Sequence, residues 1–181
     1  MKIILLPVFL IGTIIMMMVM KQTGKPLKTT NTTAGIINLE FASSANKVNA
    51  VLDQWKSTLL QPENKIATAK INTWWDFLFI FFYSGTLFLL CHKLKAACNG
   101  KAWFITTGKY IGALALMAGL LDIFENICMF QSLNGNVQEW LAKTTTICAY
   151  IKFTFVALAV LYVLVALILS AFYGINGRTR G

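Results

Sequence analysis

Apolar residues gather along this chain into four long runs, at 3–20, 73–92, 107–130 and 146–173. Each reaches or exceeds the roughly 17–25 residues with which a helix crosses the hydrocarbon core of a bilayer. The pattern predicts an all-α, polytopic integral membrane protein, a four-transmembrane-helix bundle forming a single membrane domain over 1–181. The first run follows one lysine and precedes a polar segment, as a signal peptide does. It is longer than the usual apolar region of such a peptide and no A-x-A-like site follows it, so a retained span is expected.

The external segment 21–72 divides in two. In "QTGKPLKTTNTTAG", Gly24, Pro26 and Gly35 discourage regular structure, and the stretch reads as a tether. From Phe41 the pattern changes. Phe41, Ala45, Val48, Val51, Leu52, Trp55 and Leu59 fall at helical spacing, which predicts an external amphipathic helix over about 43–60, capped by Ser43 or Ser44 and ended before Pro62. Period alone leaves open whether it lies on the bilayer, covers the bundle mouth or is an ordinary packed helix. Next, "ENKIATAKINTWWDFLFIFFYSG" runs without a break to Gly85, so the second span should begin above the membrane and enter continuously, with Trp74 and Trp75 at the interface.

The polar residues inside the runs carry the chemistry. In the third, Gly112, Ala115, Gly119, Asp122 and Asn126 alternate at three and four spacing and form one stripe, with Glu125 beside it. Small residues on such a stripe let helices approach closely in lipid, so this face turns into the bundle while Leu114, Met117, Leu121 and Phe124 face out. Lys152 shares a stripe with Cys148, Ala159, Val163, Ala166 and Ser170, and Asp76 shares one with Asn72 and Tyr83. Counted from the outer ends at 1.5 Å per residue, Asp76 lies about 5 Å deep, Lys152 and Glu125 about 8 Å, and Asp122 about 12 Å. Charge at that depth is costly and normally has a partner or a task. Three carboxylates against one ammonium predict a shared proton, a bound cation or a cationic ligand group.

Composition agrees with the membrane reading: 57% of the 181 residues are hydrophobic and 13% charged, at a mean hydropathy of +0.65, far from a soluble domain. The formal charge of +9 does not indicate nucleic acid, because no basic helix interleaved with aromatics is present. It reads as topology. Lys2, then His92, Lys93, Lys95 and Lys101, then Arg178 and Arg180 would all lie inside if both termini are cytoplasmic. The lysines of 21–72 run against that rule, which longer loops obey less strictly.

Asp76, Tyr83, Asp122, Glu125, Asn126 and Lys152 are thus the candidate ligand-binding residues. The leading expectation is a binding or accessory protein whose outer-leaflet acidic pocket holds a cation, a lipid headgroup or a partner segment. The alternatives are a lipid-modifying enzyme using the same carboxylates and a purely structural polar lock in a membrane-complex subunit. No hydrolase, kinase or metalloprotease motif is present, and catalysis is not favoured. His92, the single histidine, sits at the far end, so no metal site is expected, and no C-x-x-C or cofactor motif occurs. Met16, Met17, Met18 and Met20 read as apolar filler rather than copper ligands. Cys91 and Cys98 fall on the inner side. Cys128 and Cys148 fall at the outer ends of adjacent spans, where a disulfide and free buried thiols are both open. Asn31 to Thr33 form a glycosylation sequon, of consequence only in a eukaryotic secretory pathway. The expected partners are membrane lipids, a second copy or another membrane protein, and not nucleic acid.

"LEFA" at Leu39 to Ala42, the amphipathic segment ending at Trp55, Asp76 in an aromatic span and "LLDIFEN" at Leu120 to Asn126 together resemble a group of bacterial four-span inner-membrane proteins of unknown function. The resemblance implies a bacterial cytoplasmic membrane location and a site at Asp76, Asp122, Glu125 and Asn126.

Overall fold

A computed structural model describes residues 5–56, 65–95 and 101–178 of the chain, with side chains as far as Phe172. The described part is all-α. Four helices are long and apolar enough to cross a membrane, and the chain is a multi-pass membrane protein. The helices are α1 (Leu5–Gly24), α2 (Ile37–Glu40), α3 (Ala45–Lys56), α4 (Lys65–Leu94), α5 (Ala102–Leu133) and α6 (Glu139–Arg178). The second span does begin well before its apolar run, at Lys65, and α5 and α6 likewise extend past the expected 107–130 and 146–173. Helical hydrogen bonding continues through polar flanks, which a hydropathy boundary does not register. The expected helix end near 60, Pro62, Cys98, Lys2 and Arg180 lie outside the described residues.

The bundle is built on close approach. Among the spans, α5 packs along α4 and α6, while α1 has its seam with α4 and no comparable seam with α5 or α6. Gly12 of α1 leaves room for the Phe82 ring, and Gly85 of α4 leaves room for Phe9, so each helix seats an aromatic ring of the other. On α5, Ala115, Gly119, Asp122 and Asn126 are buried, and a Cβ on Gly119 would meet Ser84 at 3.0 Å. Met117 and Phe124 on the opposite face are exposed, as dispersion-driven packing of small residues in lipid requires. The α6 stripe is buried from Cys148 to Ala166, but Ser170 at its end is exposed, beyond the reach of α5. Away from the cover, Phe104, Ala115, Ala159 and Tyr162 form a second core around Cys91.

The segment predicted to be a tether is folded and packed. Leu27 is fully buried, Thr32 nearly so, and the Trp55 indole donates to the Leu27 carbonyl at 3.0 Å. The Thr32 hydroxyl donates to the same carbonyl at 2.9 Å. Pro26 is accommodated in a 3-10 turn over Lys25–Leu27, and Gly35 takes a positive φ of 66°, so the breakers shape turns rather than a loose chain. Helix α3 covers the mouth of the bundle: Val48, Leu52 and Trp55 share a core with Ala69 of α4, Met129 and Leu133 of α5 and Ala142 of α6. It begins as predicted at Ser44, whose hydroxyl accepts from the Lys47 amide at 3.3 Å. Glu139 of α6 accepts from the Ala45 amide at 2.8 Å, placing a carboxylate at the positive end of the α3 dipole.

Candidate functional site

Lys152 is the hub of the polar layer. Its ammonium is 2.5 Å from Asp122, 2.9 Å from Glu125 and 3.5 Å from Glu40, and the residue is only 4% exposed. The Tyr83 hydroxyl donates to the other Asp122 oxygen at 2.8 Å. Beside this group, Asn126 donates from Nδ2 to Asp76 at 2.8 Å, and Asn72 donates to Thr23 at 2.7 Å and to the Met20 carbonyl at 3.2 Å. All six residues expected from the sequence therefore meet in one layer.

The sequence reading missed Glu40. This residue belongs to the four-residue helix α2, which turns into the mouth of the bundle so that its side chain, expected in the external loop, reaches Lys152. The Thr146 hydroxyl donates to the Glu40 carbonyl at 3.1 Å and fixes α2 against α6. An acid set between Leu39 and the buried Ala42 was a usable signal, since a charge flanked by buried apolar residues must itself be accommodated. Burial lifts the Glu40 carboxyl above the ordinary glutamate range, the Lys152 ammonium opposes that rise, and Asp122 adds to it.

Three of the chain's seven acids, Glu40, Asp122 and Glu125, thus surround a single buried ammonium, and a fourth, Asp76, lies beside them on Asn126. Glu125 Oε2 and Glu40 Oε2 have the Lys152 ammonium as their one partner, and Glu125 Oε1, Asn72 Oδ1 and Asn126 Oδ1 have no hydrogen-bond donor. The layer is richer in acceptors than its own donors can serve. A cleft of about 620 Å³ opens onto it between α1 and α6. Met17, Phe79, Val156 and Val160 give apolar walls, Glu40, Asp76, Asp122 and Lys152 line its polar part, and Lys21 and Lys28 lie at the cover end. The missing seam between α1 and α6 makes this opening lateral.

Cys128 and Cys148 are both buried and both free, so no disulfide joins them in the structure; Cys91 is also free. Among the described residues no three His, Cys, Asp or Glu side chains converge to hold a metal ion. His92 lies near the far end of α4, where it contacts Lys95. Comparison with known protein families, with curated proteins and with solved structures finds no match for this chain.

Proposed function

We propose that the chain is a binding protein of the membrane that takes one aminophospholipid into the lateral cleft. The carrying observation is the order of groups along that cleft: lysines 21 and 28 at the cover end, carboxylates 40, 76 and 122 inside, and apolar walls from α1, α4 and α6 beyond them. A headgroup with an amine and a phosphate presents the matching sequence of charges. The amine would offset the excess of carboxylates, the phosphate would meet the rim lysines, and the acyl chains would leave through the lateral opening. The volume lies within the roughly 300–1,000 Å³ typical of ligand pockets. The basic residues Lys93, Lys95 and Lys101 at the opposite end favour a cytoplasmic assignment for that end, with both termini inside and the cover outside. With the resemblance of the "LEFA" and "LLDIFEN" segments, this favours the outer leaflet of a bacterial inner membrane as the working location.

The test is native mass spectrometry of the full chain released from vesicles of phosphatidylethanolamine or of phosphatidylglycerol. Retention of one phosphatidylethanolamine by the wild type, lost in Asp76→Asn and Asp122→Asn, is the expected result. Equal retention of both lipids would refute charge-matched recognition. Retention of neither, with variants that only unfold at lower temperature, would assign the layer to a structural lock.

A further inference from the structure

A second, much smaller cavity lies beside the cleft, lined by Met20, Ile36, Glu40, Asn72, Thr73, Asp76, Asn126 and Met129, with a volume of about 20 Å³. That is room for one water molecule or one bare ion. Its polar lining consists mainly of acceptors. The two amides are pinned through their nitrogens: Asn72 Nδ2 faces the Met20 carbonyl and the Thr23 hydroxyl, and Asn126 Nδ2 faces the Asp76 carboxylate. Because a backbone carbonyl can only accept, the Asn72 amide cannot be turned over without losing that bond. Both Oδ1 atoms are left without a donor, on completely buried side chains that line the cavity. The carboxyl groups of Glu40, whose Oε2 lies 3.5 Å from the Lys152 ammonium, and of Asp76 complete the lining.

We propose that Glu40, Asn72, Asp76 and Asn126 form a binding site for one dehydrated sodium ion. A water molecule that gave both hydrogens to the amide oxygens would have none left for the two carboxyl groups beside it, whereas a cation is attracted by all four groups at once. The donors are hard oxygens without nitrogen or sulfur ligands, the choice of a hard cation. The cavity is too sparsely liganded for calcium, which takes about 6–8 oxygens, and has no room for the waters that magnesium retains. The ion would also offset part of the carboxylate excess that Lys152 leaves. Glu40, Asn72 and Asp76 line both this cavity and the lateral cleft, so the ion would stand at the wall of the larger site.

The experiment is equilibrium binding of radioactive sodium-22 to the purified full chain in detergent, with choline chloride holding ionic strength constant. Saturable binding of one sodium per chain is expected, displaced by unlabelled sodium and poorly by potassium. Folded Asn72→Leu and Asn126→Leu should lose it, while Asp53→Asn, a change at an exposed carboxylate on α3, should keep it. If neither leucine variant folds, the wild-type isotherm decides: absent or non-saturable binding overturns the site. Unchanged sodium binding in either folded leucine variant also overturns it. Lipid retention is read separately, so failure of the ion site and failure of the lipid reading are distinguishable.

Discussion

Replacing Lys152 by methionine would remove the one ammonium that serves Asp122, Glu125 and Glu40 and leave their carboxyl groups in place. With distances of 2.5, 2.9 and 3.5 Å and a side chain 5% exposed, the interaction belongs to the buried class. Removing one partner from such a cluster costs about 3–5 kcal/mol, because the remaining charges lose their compensation. The protein has an escape, which sets a ceiling. Protonating a carboxyl of ordinary pKa near 4 costs about 1.4 kcal/mol per pH unit, or ~4 kcal/mol at pH 7. The expected loss is therefore ~3–4 kcal/mol at about pH 7, shrinking by up to ~1.4 kcal/mol for each unit that the pH is lowered. Methionine keeps most of the aliphatic volume, so a cavity is a minor part of the loss. Asp122→Asn in the same chain should recover about 1–2 kcal/mol relative to the sum of the single changes, since both act on one ion pair. Equilibrium unfolding in mixed dodecyl sulfate micelles across pH measures all three variants. A loss that does not change with pH, or single changes that simply add, would refute this account of the layer.

Three further outcomes follow from the same geometry. Tyr83→Phe removes a buried donor to the Asp122 carboxylate and should cost about 1.5–3 kcal/mol in the same unfolding assay, a neutral result counting against that bond. The raised Glu40 carboxyl holds its proton more tightly in the folded chain, so its contribution is fully present below the ordinary glutamate range and declines as pH rises through that range towards the folded value. Glu40→Gln should therefore gain on the wild type as pH rises from about 4 to about 8, and a difference that stays flat would contradict the burial of a titrating acid. Gly85→Ile would drive a side chain into the Phe9 ring, so α1 should loosen from α4 at a cost of about 1–3 kcal/mol, detected by unfolding and by faster proteolysis of α1.

Much of the bundle was legible because helical period and apolar length are local properties. Asp122, Asn126 and Lys152 could be placed inward from three and four spacing alone, and counting residues brought Asp76 and Glu125 to their level. Glu40 was lost because a four-residue helix has too few turns to show a period, and its role depends on Lys152, 112 positions later in the numbering. Leu27 and Thr32 were read as tether residues because the turn-forming neighbours are local while the Trp55 that buries them is not. Asn72 was placed on the correct stripe, but the orientation of its amide is set by Met20 and Thr23 of another helix. The position of α3 over the bundle mouth likewise needed its partners on three spans.

The hub of the layer comes last in the chain. Glu40, Asp76, Asp122 and Glu125 are all translated before Lys152, and so are the residues of α3 that await the Glu139 carboxylate on the same final helix. A nascent chain that has delivered α1, α4 and α5 carries its acids without their counter-charge, and its cover has no α6 to close upon. Assembly therefore has a direction: the early helices must remain open to water, or keep their carboxyls neutral, until α6 arrives. A chain that stops short of α6 would expose acidic, unlatched helices to the quality-control proteases of its membrane.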